Sequence, residues 1–128
     1  MALQGSFVWN ELMTSDIAAA KAYHAAVLGW TYVDQPMPDG TYTLAFVPGE
    51  EKAVCGLFPW PKEMPGSNAW SAYVAVDDCD AAAARVVASG GTVCRAPWDI
   101  PGVGRIAIVA DPLGAVLGLL QPSSGEGC

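Results

Sequence analysis

The most informative side chain in this sequence is a glutamate within an apolar strand candidate. Glu11 lies in the segment 7–13, two residues after Trp9 and two before Met13. Side chains alternate between the two faces of a strand, so these three share one face. A carboxylate in such surroundings is hard to ionise unless it has a partner. Glu11 is predicted to act as a general base or to anchor a ligand amine or hydroxyl; the alternative is a structural carboxylate bonded to backbone amides or to a neighbouring Tyr or Trp.

A second strand candidate, residues 70–76, supplies two further polar groups. Ser71 and Tyr73 alternate along it in the same manner, and either could steady an oxyanion in an enzyme. With Phe46 and Ile108 from later strands, these residues predict an aromatic-walled cavity suited to a small molecule. Leu44 and Ile106 are predicted to occupy matching places in this cavity, and Gly56 and Gly118 to leave floor space in it. The alternative is that Trp9 and Phe46 simply fill the interior as core.

Two further tryptophans occur in proline-rich segments. Trp60 lies in Phe58-Pro59-Trp60-Pro61 and Trp98 in Ala96-Pro97-Trp98-Asp99. They are predicted to be rim aromatics that close over a planar ligand, or else hydrophobic residues that pack a loop or a dimer surface. The sequence leaves both interpretations open.

The elements that position these residues occur twice. Residues 53–58 return as 115–120 at an offset of 62, Asp16 returns as Asp78, and Gly29 returns as Gly91. A fixed internal period defines the architectural unit. The sequence therefore predicts two units, about residues 5–60 and 67–122, that share one core within a single domain, residues 1–128.

Each unit reads as a strand, a helix and three strands. Cap-type residues precede each Ala-rich helix, and the strands are rich in β-branched and aromatic residues. Pro/Gly-rich stretches at 35–40 and 97–104 are predicted loops, and 59–68 is the predicted linker. The predicted strands are 7–13, 30–34, 42–47, 53–58, 70–76, 92–95, 105–110 and 115–120, and the predicted helices are 17–28 and 79–89.

Composition limits the classes of partner. Only 15% of the residues are charged and 52% are hydrophobic, as in a folded globular domain. The net charge of −7 makes nucleic acid an improbable partner and mildly favours a cationic small molecule. No apolar run approaches membrane-spanning length, and no basic and then apolar leader opens the chain, so no membrane association and a cytoplasmic location are predicted. The four cysteines form no metal-type pair and are predicted to be buried or incidental thiols.

Several motifs resemble one known superfamily. They are Glu11-Leu12-x-Thr14-x-Asp16 with Leu28-Gly29-Trp30, the stretch from Tyr73 to Asp78, and the turn Asp111-Pro112-Leu113-Gly114. The chain is similar to the vicinal-oxygen-chelate superfamily, which includes glyoxalase I, bleomycin-resistance proteins and extradiol dioxygenases. The resemblance implies an α+β fold in which two tandem βαβββ units form an incomplete barrel around one cavity. It also implies a homodimer, because open sheet edges and the family's frequent dimers point the same way.

The same resemblance implies four metal-ligand positions. In this chain they hold Trp9, Gly56, Ser71 and Gly118, which cannot form a shell of His and carboxylate ligands. The single histidine, His24, lies on the first predicted helix and is interpreted as a solvated or partly packed residue. The sequence therefore predicts no metal and no cofactor.

Two classes of function follow. The first is a metal-independent binding protein of the glyoxalase/bleomycin-resistance type, for a hydrophobic or cationic ligand. The second is a metal-free lyase or isomerase in which Glu11 moves a proton and Tyr73 or Ser71 stabilises the oxyanion. A third, weaker alternative is glyoxalase-type metal catalysis with unusual ligands.

Overall fold

The computed structural model describes residues 4–37, 40–59, 68–100 and 103–123. The chain has the predicted α+β class, with the order strand, helix and three strands occurring twice. The first set is β1 (Phe7–Thr14), α1 (Ile17–Leu28), β2 (Thr31–Met37), β3 (Gly40–Phe46) and β4 (Cys55–Pro59). The second set is β5 (Ala69–Ala75), α2 (Cys79–Ala88), β6 (Thr92–Ile100), β7 (Gly104–Ala110) and β8 (Val116–Pro122).

The chain divides into two compact units whose boundaries fall inside β1 and β5. The first unit comprises residues 9–71, and the second joins residues 1–8 to residues 72–128. In the second unit the N-terminal segment pairs with the end of β5, because the Gly5 N–H donates to the Ala75 carbonyl and the Ala75 N–H donates to the Ser6 carbonyl, both at 2.8 Å.

The first unit carries the strand order β2-β3-β4-β1. β1 runs parallel to β4, and β3 is antiparallel to its neighbours. The helix α1 begins at Asp16, whose side chain accepts from the Ala19 N–H, and ends at Gly29 in the left-handed conformation. The core of this unit, with parts of α1 packed against it, consists of Leu12, Ala45, Cys55 and Leu57.

The second unit repeats this plan with the order β5-β8-β7-β6. Asp78 caps α2 by accepting from the Ala81 N–H, as Asp16 does for α1. The equivalence of Asp16 and Asp78, predicted from the repeat, is confirmed. The buried core consists of Val76, Cys79, Ala82, Ala107, Val109 and Leu119.

Two predicted loops belong largely to strands. β6 continues to Ile100 and includes Pro97 and Trp98, and β2 continues to Met37 and includes Pro36. Within the described ranges β2 pairs with β3 alone and β6 with β7 alone, so both are edge strands of their units. Proline is tolerated on an edge strand, because its missing N–H is not needed there. β6 also contains two register shifts, one before and one after Arg95.

The repeat holds at a constant offset for some elements and not for others. Gly56 lies opposite Leu44 while Gly118 lies opposite Ile108, so β7 is displaced by two residues relative to the predicted mate Ile106. The helix stop also differs, because the residue in the left-handed conformation after α2 is Gly90, one residue before the predicted Gly91.

Some predictions fall outside these observations. Trp60 and nearly all of the predicted linker lie outside the described residues. Neither of the described helices is both long enough and apolar enough to cross a membrane. The incomplete barrel around a common cavity stays a prediction.

Candidate functional site

A chain of hydrogen bonds connects three side chains of the first unit and ends at Glu11. The Tyr42 hydroxyl donates to Oε2 of Glu11 at 2.7 Å. The Trp9 Nε1–H donates to the Tyr42 hydroxyl oxygen at 3.0 Å. Glu11 is buried, with 8% of its surface exposed. The carboxylate therefore has the tyrosine partner that the structural interpretation of Glu11 requires, and the same bond fixes its orientation.

Gly56 provides the space that the Tyr42 ring needs. Glu11 and Leu44 both lie opposite Gly56 in the β1-β4-β3 register. Tyr42 precedes Leu44 by two residues and shares its face. A Cβ atom at position 56 would overlap the Tyr42 hydroxyl. The sequence predicted open floor space at Gly56, and this prediction is wrong because the phenol occupies it.

Apolar side chains surround this polar chain on the same face of the first unit. Met13 lies opposite Phe58 in the β1-β4 pair, and both are half-buried. The rings of Tyr42 and Phe58 are 6.3 Å apart at a tilt of 48°. Phe46, two positions beyond Leu44, is also half-buried. The predicted ligand-binding residues Trp9, Glu11, Met13 and Phe46 thus belong to one strand face of one unit.

Ser71 carries a buried hydroxyl that forms no hydrogen bond with the described residues. Buried hydroxyls are nearly always bonded, so this one is an exception. No hydrogen bond joins it to Glu11 in the described part of the chain.

The remaining predicted cavity residues lie in the second unit. Tyr73 is buried, and a Cβ atom at Gly118 would overlap its ring. Gly118 lies opposite both Tyr73 and Ile108. The predicted floor space at Gly118 is therefore filled as well, by the ring of Tyr73.

The ring of Trp98 contacts the side chain of Arg95. The Arg95 guanidinium lies 3.5 Å from the centroid of this ring, which is a cation–π arrangement. This contact covers one face of the indole, in keeping with the packing alternative. Nearby, Arg105 forms ion pairs with Asp80 and Asp99, each at 3.1 Å. These hydrogen-bonded carboxylates raise the pKa of Arg105 above its ordinary value.

The donor set at the four family ligand positions does not suit a divalent ion. Trp9 has only an indole N–H, which points to Tyr42, and the two glycines offer no side chain. Ser71 alone carries an oxygen, and it is buried. Among the described residues no group of three or more His, Cys, Asp or Glu side chains could hold a metal.

Tyr42 is the residue of the candidate site that the sequence did not reveal. Residues 42–47 were predicted as a strand, but the partner of Glu11 depends on the register across three strands. The signal that could have found it is Gly56, because a glycine in a strand often marks the close approach of another group.

The comparisons with known proteins agree with this fold. The family model of the Glyoxalase/Bleomycin resistance protein/Dioxygenase superfamily matches residues 6–119. The chain belongs to this superfamily, and the resemblance drawn from its motifs is confirmed.

Two curated relatives extend the comparison. A Mycobacterium tuberculosis protein named "Putative glyoxylase CFP32" is 40% identical over 122 residues, which are 92% of this chain and 46% of that protein. The "Anthracycline biosynthesis protein DnrV" of Streptomyces peucetius is 32% identical over 135 residues, covering 96% of this chain and 49% of that protein. The chain spans about half the length of the curated relatives it matches.

A solved structure supports the fold alone. Methylmalonyl-CoA epimerase from Mycobacterium tuberculosis aligns with a TM-score of 0.62 at 16% identity. The alignment covers 99% of this chain and 94% of the epimerase.

Proposed function

We propose that this protein binds a hydrophobic or cationic small molecule without a metal, with Glu11 as the polar anchor of the site. The observation that supports this most is the hydrogen-bond chain from Trp9 through Tyr42 to Glu11. It orients a carboxylate on a face that otherwise carries aromatic and apolar side chains.

The chain of bonds prepares Glu11 for a ligand. The Tyr42 hydroxyl donates to Glu11 and accepts from Trp9, so the carboxylate is held before any ligand arrives. A preorganised group loses less freedom on binding, which improves affinity. A charge-assisted hydrogen bond from an ammonium to such a carboxylate is stronger than a neutral one. The net charge of −7 favours the approach of a cation.

Two further observations support a binding role. The donor set is unsuited to the metal chemistry found in part of the superfamily. The relative DnrV is named for anthracycline biosynthesis, which connects this branch of the superfamily with a small molecule.

A second candidate function is a metal-free lyase or isomerase in which Glu11 is the general base. It is favoured by the burial of Glu11, because exclusion of water strengthens the interactions of a reacting carboxylate. The relative named as a glyoxylase gives it some support.

Replacement of Glu11 by Gln distinguishes the two functions. A ligand is first found by thermal-shift screening of planar aromatic, glycopeptide and 2-oxo compounds. For a binding protein with a cationic ligand, Glu11→Gln should reduce affinity roughly 10- to 100-fold, because a charge-assisted bond is lost. For an enzyme, affinity should stay nearly unchanged and turnover should fall roughly 100- to 10,000-fold. Isothermal titration calorimetry and a product assay measure the two quantities.

Two control variants accompany this test. Trp9→Ala should weaken binding under either function, because it removes the indole and its bond to Tyr42. Glu50→Gln makes the same chemical change at an exposed position and should leave affinity unaltered. If Trp9→Ala disrupts binding and Glu11→Gln alters neither affinity nor turnover, Glu11 is a structural carboxylate and the proposed site is incorrect.

The predicted homodimer stays part of this proposal. It was inferred from open sheet edges, yet the edge strands β2 and β6 each contain a proline, which protects an edge from pairing. A mass measured by light scattering at micromolar concentration tests it, and a mass of one chain would contradict it.

A further inference from the structure

A cleft of about 350 Å³ lies between α1 and the ends of β1 and β5 in the first unit. Its volume is within the range of small-molecule sites. Leu12 and Thr14 line it, so it opens on the face of β1 opposite to Glu11. Its lining residues are Leu12, Thr14, Asp16, Ala19, Ala20, Tyr23, His24, Asn68 and Trp70.

Aromatic rings form one wall of this cleft. The imidazole of His24 stacks on Trp30, with the ring centroids 5.4 Å apart and the planes inclined by 14°. His24 also meets Tyr23 and Trp70 in edge contacts, at 4.9 and 5.7 Å. Tyr23 and Trp70 remain 62% and 48% exposed. These contacts fix the His24 ring and leave two large aromatic side chains accessible to a ligand.

The polar groups at one end of the cleft form most of their hydrogen bonds with one another. The Thr14 hydroxyl donates to the Asn68 Oδ1 at 2.8 Å and accepts from the Asp16 N–H at 3.2 Å. The Asn68 amide nitrogen donates to the Ser15 hydroxyl at 3.2 Å. Oδ1 of Asp16 accepts from the Ala19 N–H at 3.0 Å. The groups that satisfy one another in this way offer little to a ligand.

Several atoms remain without a hydrogen bond in the described part of the cleft; the Tyr23 hydroxyl and the Trp70 indole N–H can donate, and two others are acceptors. One acceptor is the second carboxylate oxygen of Asp16, which is exposed. The other belongs to His24, whose Nδ1 lies 2.8 Å from the Ala20 carbonyl oxygen. A carbonyl only accepts, so Nδ1 carries the hydrogen, and Nε2 of the neutral ring is an acceptor. A ligand that satisfies both acceptors must donate hydrogen bonds.

We propose that this cleft is a second binding site, specific for a small aromatic molecule that carries a protonated amine. The aromatic ring of the ligand packs against Tyr23 and Trp70, and its ammonium group donates to the exposed carboxylate oxygen of Asp16. The Asp16 carboxylate and the net charge of −7 favour a cation over an anion. Ammonium groups are also attracted by the faces of tryptophan and tyrosine rings.

The proposal is tested by titrating the full chain with 2-phenylethylammonium and recording the indole N–H resonance of Trp70 by NMR. A ligand this small is expected to bind with a dissociation constant on the order of 1 mM. 2-Phenylethanol and 3-phenylpropionate keep the ring and replace the ammonium by a neutral or an anionic group. The ammonium should bind at least about tenfold more tightly than the alcohol, and the carboxylate should not saturate the site.

Two pairs of variants locate the ligand. Asp16→Asn keeps a good helix cap and removes the charge, so the affinity for 2-phenylethylammonium should fall about tenfold. Asp78→Asn is the matched control, because Asp78 caps α2 with the same bond to a backbone N–H and lies in the other unit. His24→Phe keeps the stacking on Trp30 and removes the acceptor, and Trp70→Ala removes an exposed ring. Trp70→Ala should weaken binding at least about threefold, and His24→Phe should weaken it less.

Several outcomes would overturn the proposal. Equal effects of Asp16→Asn and Asp78→Asn would show that the cap charge does not contact the ligand. Loss of binding in Glu11→Gln with full binding in Asp16→Asn would place the ammonium on the opposite face of β1. An unchanged Trp70 resonance at saturating 2-phenylethylammonium would mean that the cleft takes no such ligand. Circular dichroism confirms that each variant is folded, and Trp70→Ala provides an answer if a cap variant unfolds.

Discussion

Each unit has a row of three residues that face one another across three neighbouring strands, and the two units place different residues at these equivalent positions. In the first unit the row is Glu11, Gly56 and Leu44, and in the second it is Tyr73, Gly118 and Ile108. In both units a tyrosine ring occupies the space beside the glycine. The second unit takes this ring from Tyr73, the direct neighbour of the glycine.

The first unit takes its ring from a strand further away. Tyr42 comes from β3 and brings its hydroxyl to Glu11. Its counterpart in the register of the second unit is Ile106, which has no hydrogen-bonding group. The duplicated framework therefore keeps the glycine and changes the source of the ring. The consequence is that a carboxylate held by a tyrosine from another strand occurs at this row in the first unit, whereas the second unit places a tyrosine ring there.

The largest effect on the free energy of unfolding is expected when Gly118 or Gly56 is replaced by alanine. In Gly118→Ala the new Cβ meets the ring of Tyr73, which is 3% exposed and cannot swing away. Overpacking of this kind should lower the free energy of unfolding by about 3 kcal/mol. In Gly56→Ala the contact is with the phenol of the half-buried Tyr42, which can move but only by giving up its bond to Glu11, so a loss of about 2 kcal/mol is expected. Urea unfolding monitored by circular dichroism measures both.

The two glycine variants also differ in what they do to the site. Gly56→Ala should displace Tyr42 from Glu11 and weaken ligand binding, whereas Gly118→Ala should mainly affect stability. Equal losses of stability in the two variants would show that Tyr42 is as confined as Tyr73, and the contrast between the units would then fail.

A smaller effect is expected from removing the hydroxyl of Tyr42. Tyr42→Phe deprives the buried Glu11 carboxylate of a donor at 2.7 Å and should lower the free energy of unfolding by about 2 kcal/mol. Trp9→Phe removes only the neutral bond to Tyr42 and should lower it by about 1 kcal/mol. Thermal unfolding at equal protein concentration ranks the two. A larger effect of Trp9→Phe would indicate that packing of the indole outweighs the hydrogen-bond chain.

The smallest effect concerns an exposed carboxylate of the first unit. The Thr43 hydroxyl and the Lys21 ammonium lower the pKa of Asp34 below its ordinary value of 3.8. A lowered pKa means that the ionised form stabilises the folded state. This contribution is complete well above pH 3.8 and is lost as the pH falls through the lower value of the folded state.

The variant Asp34→Asn isolates this contribution. Its urea midpoint should lie slightly below that of the parent chain at pH 6, and the difference should shrink as the pH falls through the lowered pKa of Asp34 and the parent carboxyl becomes protonated. Asp99→Asn, beside Arg105 in the second unit, is the matched exposed control. A difference for Asp34→Asn that is independent of pH would contradict the role of its charge.

The sequence predicted those features that depend on short stretches of chain. The two helices follow from Ala-rich runs after Asp16 and Asp78, and the repeat located most strands because their residue types are local signals. The extent of β6 was wrong because a proline usually ends a strand, whereas Pro97 lies on an edge. The position of β7 was predicted correctly, but the residue that faces Gly118 is Ile108 and not Ile106, because the register between strands depends on partners that the repeat does not reveal.

The candidate site was only partly predictable for the same reason. The burial of Glu11 followed from its apolar neighbours in the sequence. Tyr42 reaches it only through the alignment of three strands. His24 was interpreted as a solvated or partly packed helix residue, and it is partly packed, but the rings of Trp30 and Trp70 that pack against it come from separate elements and were not predicted. Contacts between residues distant along the chain require the fold itself.

The overlap between position 56 and the Tyr42 ring makes the order of mutations matter in the history of this chain. A larger side chain at position 56, such as a metal-binding glutamate, cannot enter while the tyrosine is present. The tyrosine, in turn, can be introduced only after the glycine. Tyr42 is therefore acceptable only in the background of Gly56, and a large side chain at position 56 requires a second substitution at position 42. Sequences of intermediate forms should pair glycine with tyrosine, or a large residue at one position with a small residue at the other.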